Sequence, residues 1–122
     1  MNRKGRVGKR GEDIACLYLR GQGYKIIARN WRSPFGEIDI IARDGESLVF
    51  VEVKTRTSSG FGGPVAALTP RKRGRIITTA RAYLSGVESG IAVRFDLIAV
   101  EGEVITLYRD AFQVGGTCLL GY

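Results

Sequence analysis

The sequence predicts a single α/β domain, and three observations carry that expectation. Helix-period and strand-period segments follow one another in the order helix, three strands, helix, two strands. The run Leu48-Val49-Phe50-Val51-Glu52-Val53-Lys54 is apolar on both alternating faces until Glu52, the pattern of an interior strand in a sheet covered on both sides. The chain has 122 residues, 44% apolar and 25% charged, enough for one core of ordinary globular composition, with no internal repeat or domain linker.

Each element has a local reason. Residues 1–10 hold two glycines and five basic residues without a hydrophobic period, and are expected to form a flexible basic arm. From Gly11 to about Gly21, Ile14, Leu17 and Tyr18 fall at helical spacing, and Glu12 and Asp13 occupy the first turn, where the helix dipole favours anions. Tyr24 to Arg32 reads as a strand with Tyr24, Ile26 and Ala28 on one face, ending in the turn Ser33-Pro34-Phe35-Gly36. Glu37–Arg43 and Glu46–Lys54 form a β-hairpin about Asp44-Gly45. After a Gly/Ser-rich loop from Thr57 to Gly63, Thr69 is a natural N-cap with Pro70 at the first helical position. The helix that follows places Ile76, Ile77, Ala80, Tyr83 and Leu84 on one stripe, and strands at about Ala92–Val100 and Val104–Tyr108 complete the order.

Composition restricts the chemistry. There is no histidine, which excludes Ser-His-Asp and Cys-His triads, histidine general bases and His-containing zinc sites. Cys16 and Cys118 are far apart without CxxC spacing, so neither a zinc nor a redox motif is present, and both read as small buried or half-buried residues. No stretch approaches about 20 apolar residues and the N-terminus lacks a signal peptide's apolar region, so a soluble cytoplasmic protein is expected. The formal charge of +7 is unevenly distributed. Arg3, Lys4, Arg6, Lys9 and Arg10 form one acid-free cluster and Arg71, Lys72, Arg73 and Arg75 another, leaving the rest slightly acidic. Two basic segments on such a body point to a polyanion, nucleic acid or an anionic membrane; solvated faces are the plain alternative. No large apolar amphipathic face accompanies the basic arm, which weighs against the membrane. Cations at a helix N-terminus oppose its dipole, so phosphate binding explains the second cluster better than local stability does.

The hairpin holds the candidate chemistry. A two-residue Asp44-Gly45 loop pairs Arg43 with Glu46, sets Asp39 opposite Phe50 and Glu37 opposite Glu52, and puts Glu37, Asp39, Glu52 and Lys54 on one face. Carboxylates so placed can converge on one hard cation. A shift of one residue would separate Asp39 from Glu52. The structural alternative is a salt-bridged set, Lys54 with Glu52 and Arg56 with Glu37. Lys54, two residues beyond Glu52, points into the same crevice, where it can serve a water or stabilise phosphate charge.

Gly36-Glu37-Ile38-Asp39-Ile40-Ile41 and Leu48-Val49-Phe50-Val51-Glu52-Val53-Lys54-Thr55-Arg56 resemble the PD-(D/E)-x-K nuclease signature, with Ile38 in place of the proline. More specifically, the chain resembles the YraN-like family of bacterial proteins, predicted endonucleases related to archaeal Holliday-junction resolvases. The match includes Gly11-Glu12, Gly23-Tyr24, Arg29-Asn30, Phe61-Gly62, Lys72 with Arg75, and Arg94-Phe95-Asp96-Leu97. The resemblance implies a restriction-endonuclease-like α-β-β-β-α-β core with a mixed central sheet flanked by helices. The nuclease-like domain would span residues 11–112, with 113–122 a C-terminal extension. It further implies a phosphodiesterase site in which Asp39, Glu52 and the Val53 carbonyl ligate Mg²⁺ or Mn²⁺, Lys54 serves the attacking water and Glu12 completes the acidic cluster.

The remaining polar residues divide by role. Glu37 reads as salt-bridged or exposed, with an additional ligand as the alternative; Arg56 either clamps a phosphate or pairs with Glu37 or Glu52. Asp96 and Arg94 are expected to form a structural ion pair. Lys9, Arg10, Arg56, Arg71, Lys72, Arg73 and Arg75 are the expected nucleic-acid contacts. The function so implied is a metal-dependent endonuclease on DNA, with branched or damaged forms as candidates, and a two-fold dimer would ease binding to a junction. The alternative is a nucleic-acid-binding protein that keeps the fold without turnover.

Overall fold

The computed structural model describes residues 3–55, 63–87 and 89–114. Its elements are α1 (Arg3–Gly21), β1 (Lys25–Ser33), β2 (Gly36–Asp44), β3 (Ser47–Lys54), α2 (Gly63–Ala66), α3 (Pro70–Leu84), β4 (Ala92–Glu101) and β5 (Val104–Tyr108). The strands form one mixed sheet in the order β1-β2-β3-β4-β5, antiparallel except for the parallel pair β3/β4, whose connection carries α3. The expected α-β-β-β-α-β core is therefore present, with one short helix and one strand added.

β3 is the interior strand its composition requires: Leu48, Val49, Phe50 and Val51 are at most 2% exposed. Its two faces build two cores. Leu48 and Phe50 pack with Ile76, Ala80 and Leu84 of α3, while Val49 and Val51 pack with Ala15, Cys16 and Leu19 of α1. The sheet is thus sandwiched between α1 and α3, and burying these aliphatic and aromatic side chains at roughly 1.5–3 kcal/mol each is the main force holding the layers. α3 begins as expected, with Thr69 Oγ1 accepting the Lys72 N–H at 3.3 Å and Pro70 in the first turn.

Three expectations need correction. The arm expected over residues 1–10 is helical from Arg3 onward, a continuation of α1. A hydrophobic period reports packing, whereas Arg and Lys propagate a nucleated helix without one, here against the roughly 1 kcal/mol that each of Gly5 and Gly8 costs. Ala28 does not share a face with Tyr24 and Ile26: the β1/β2 register shifts between Ile26 and Ala28, which sends Ala28 to the α3 side. The hairpin pairs Asp44 with Ser47, so its loop is Gly45-Glu46 rather than Asp44-Gly45. Gly45 has φ +61°, and a two-residue loop with glycine first is the same turn that Gly102-Glu103 makes between β4 and β5, with Gly102 at φ +60°. The slip is by two residues, so the side chains of the paired stretch, Ile40–Asp44 with Ser47–Val51, keep their predicted faces.

Arg56, Cys118, residues 115–122 and the side chain of Lys9 lie outside the described residues. Cys16 is buried, and burial pushes its thiol pKa up. No helix among the described residues is long and apolar enough to cross a membrane.

Candidate active site where β2 and β3 part

The pairing of β2 with β3 ends at Ile40 opposite Val51, although β3 stays paired with β4 as far as Lys54 opposite Ala99. Just beyond that last pair, β2 loses its alternation. Ile40 and Ala42 face α1, yet Ile38, two residues from Ile40, faces α3 beside Ile41. β1 breaks parity at the matching place, since Ala28 and Trp31 both face α3. Arg29 pairs with Ile40 and Trp31 with Ile38, so the residue across from Asp39 is Asn30, whose φ is +51°. Asn tolerates this left-handed conformation better than most side chains. The two strands therefore kink together at Asn30 and Asp39, and Asp39 is turned toward β3. Its Oδ2 accepts the Val53 N–H at 2.8 Å.

Continued one residue past its last pair, the register would set Asp39 across from Glu52, closer than the predicted pairing, and the two carboxyl groups do interact. Burial, the Asp39 charge and a proton held toward Asp39 push the Glu52 carboxyl pKa up to about 9, against which Lys72 acts and with which Glu37 adds. Two carboxyl groups forced together in a partly buried site cannot both ionise cheaply without a cation. No ion pair among the described residues involves Asp39, Glu52 or Lys54. The salt-bridged alternative, Lys54 compensating Glu52, is thus not the arrangement observed. Lys54 lies two residues beyond Glu52 on β3, whose alternation is regular from Leu48 to Val53.

Glu12 reaches the same region from α1. Its Oε1 is buried with no hydrogen-bond partner among the described residues, with Arg29 at 3.7 Å. Burial raises its pKa, the Asn30 side chain lowers it, and Asp39 raises it again. Gly11 is what allows this approach: a Cβ there would collide with Thr55 Cγ2 at the end of β3. A glycine inside a helix costs about 1 kcal/mol relative to alanine, so close contact is the reason for it here.

A buried carboxyl oxygen without a partner and two carboxyls pressed together are donors suited to a hard divalent cation. Among the described residues no three Asp, Glu, Cys or His side chains converge closely enough to hold one. Asp39 and Glu52 are brought together; Glu12 stands nearby and outside that pair.

On the α3 side, Glu52 and Glu37 line a pocket of about 170 Å³ with Gly36, Lys72, Arg75 and Thr79. Glu37 pairs with Arg32 at 3.4 Å, the cross-strand partner the β1/β2 register supplies. Three members of the basic clusters fall elsewhere. Arg73 Nε donates to the Leu68 carbonyl at 2.7 Å and its guanidinium lies over the Phe112 ring, so it fastens α3 to the chain on either side. Arg71 is exposed outside the pocket, and Arg10 is exposed on α1. Asp96 is fully structural, as expected: Arg94 forks onto both its oxygens at 2.9 and 3.0 Å, Tyr24 donates at 2.7 Å and the Asp110 N–H at 2.9 Å.

Sequence reasoning missed Arg29 and Asn30. Arg29 bonds Asp13 at 2.7 Å and neighbours Glu12; the Asn30 side chain bonds Glu12, and its backbone lies between the pairs that flank Asp39. An asparagine in mid-strand, where strand propensity disfavours it, was the available signal.

Fold and site together define a small α/β domain with a carboxyl pair where its central hairpin opens. A model of the uncharacterised protein family UPF0102 matches residues 11–100, which contain Glu12, Asp39, Glu52, Lys54, Lys72 and Arg75. A UPF0102 protein of Chlorobaculum parvum is 53% identical over 95 residues, covering 77% of this chain and 74% of its own. One of Syntrophus aciditrophicus is 46% identical over 114 residues, covering 89% and 90%. One of Persephonella marina is 45% identical over 108 residues, covering 88% and 93%. The chain belongs to this family, and the YraN-like resemblance carried by the motifs is borne out.

Proposed function

We infer that the protein is a divalent-cation-dependent endonuclease that hydrolyses DNA phosphodiester bonds. The observation that carries this reading is the Asp39–Glu52 pair, held at the parting of β2 and β3 with Lys54 two residues on and no compensating ion pair among the described residues. Asp39 and Glu52 would hold Mg²⁺ or Mn²⁺, with the Val53 carbonyl and Glu12 as further ligands by the family resemblance. A bound cation polarises a phosphoryl oxygen and supplies hydroxide near neutral pH, which a protein lacking histidine needs from some source. Lys54 orients the attacking water and stabilises charge on the phosphate. The Val53 N–H keeps Asp39 aimed between the strands, and Arg29 and Asn30 hold Glu12 beside it.

Calorimetry with Mg²⁺ or Mn²⁺ should give binding that Asp39→Ala and Glu52→Ala each abolish. Nicking of branched or single-stranded DNA should fall at least a hundredfold in Lys54→Ala with the fold intact, the scale of losing one acid-base or charge-stabilising group. Cleavage unchanged in both Lys54→Ala and Glu52→Ala would sink this site. Metal binding and DNA binding without cleavage would leave a binding protein on a nuclease fold.

A further inference from the structure

The four cations at the start of α3 are not equivalent. Lys72 and Arg75 are one turn apart and share a helix face with Thr79, whereas Arg73 is turned toward Phe112 and bonded to Leu68. Lys72 and Arg75 line the pocket opposite Glu52 and take part in no ion pair among the described residues. Glu37, the other acid there, is tied to Arg32. Two cations therefore stand side by side on the α3 wall of a small hollow, near the positive end of a helix dipole, facing Glu52 and Glu37 without forming an ion pair to either among the described residues.

The hollow is kept open by a glycine. A Cβ on Gly36 would stand 3.1 Å from Thr79 Oγ1 and close the gap between the β1/β2 turn and α3. Gly36 also has φ +150°, a conformation L side chains rarely adopt. The volume, about 170 Å³, is well below the 300–1,000 Å³ typical of small-molecule sites, and no aromatic ring lines it. A tetrahedral phosphate fits such a space; a stacked nucleobase does not, and nothing there offers a stacking surface.

We propose that the Gly36–Lys72–Arg75 pocket binds one internal phosphate of a nucleic-acid backbone, making no contact with a base. This rests on the preceding reading only in taking nucleic acid as the substrate, and not on turnover. Lys72 contributes a point charge and Arg75 a planar fork, a pair suited to one phosphate's oxygens. The contact grips the strand beside the acidic pair at a place where sequence cannot be read, so this pocket contributes equally to every sequence.

The test is equilibrium binding of the full chain to labelled oligonucleotides of several sequences, in EDTA, over a series of salt concentrations. Lys72→Ala and Arg75→Ala should each reduce the steepness of log K against log salt, the double variant by about 0.7–0.9 for the one phosphate they share, and weaken every sequence by the same factor. Lys72→Arg should restore the slope, and Gly36→Ala, with both charges in place, should weaken binding without flattening it. Both side chains are exposed, so circular dichroism should report an unchanged fold. An unchanged slope in both alanine variants would overturn the proposal and return the cations to solvent, while the nuclease reading stood. A loss that varies with sequence would overturn the base-blind contact. A tenfold or larger gain on adding a 5′-phosphate, lost in the same variants, would make this a strand-end pocket instead. If wild type binds and the variants respond as expected but Mg²⁺ elicits no cleavage, the pocket stands and the nuclease reading falls.

Discussion

Glu52 is the side chain whose ionisation the fold resists most openly. Burial and Asp39, which both favour the neutral form, push its carboxyl pKa up from an ordinary 4.5 to about 9. The folded state therefore binds this proton more tightly than the unfolded state does. The associated stability is complete below pH 4.5 and drains away as pH rises toward 9. Glu52→Gln, neutral at every pH, should match wild type near pH 4 and exceed it by on the order of 1–2 kcal/mol at pH 8, measured by urea denaturation without divalent cations. Equal stability across that range would mean Glu52 ionises freely. Gly11 makes a second residue-scale case. Gly11→Ala should cost on the order of 1–3 kcal/mol despite alanine's better helix propensity, because its methyl group overlaps Thr55. A more stable variant in thermal melts would mean α1 can retreat from the sheet without loss.

At the scale of elements, the controlling feature is the kink shared by β1 and β2. Asn30→Gly keeps the left-handed backbone and should stay within about 1 kcal/mol of wild type, while Asn30→Val should lose about 2 kcal/mol or more, since a β-branched side chain is strained there. A valine variant as stable as wild type would show that the kink is not held by residue 30. This kink also marks the limit of what the sequence disclosed. Hydrophobic periodicity located every strand, and a hairpin about Gly45 sufficed to bring Asp39 near Glu52, because a two-residue slip preserves register parity over the paired stretch. Periodicity could not show that both strands break parity at Asn30 and Asp39, for the break exchanges faces without changing the apolar count. Likewise, four adjacent cations on α3 looked alike in sequence. Only helical rotation and the position of Phe112 separate Lys72 and Arg75 from Arg73.

For the molecule as a whole, the two ends of the sheet are built differently. At one end Arg94 bonds Asp96, Asp44 and Tyr24, joining β4, the closed end of the β2/β3 hairpin and the chain entering β1. Asp96 is buried among these donors, and Asp96→Ala should cost about 3–5 kcal/mol because Arg94 loses the partner that offsets its burial. A loss under 1 kcal/mol in urea denaturation would mean Asp44 alone satisfies Arg94. That ion pair was legible from two residues on one strand face, whereas Tyr24, 72 positions from Asp96, had no local signature. At the other end β2 and β3 separate, and the acidic pair sits in the gap.

That gap leaves the Val53 amide protected by a carboxylate instead of by the neighbouring strand. Its hydrogen exchange therefore follows the state of one side chain, while amides deeper in the hairpin follow the stability of the ladder. In an NMR spectrum this single peak becomes a gauge of Asp39: a ligand that draws the carboxylate away, or a substitution that removes it, releases this proton to solvent while the core amides stay silent.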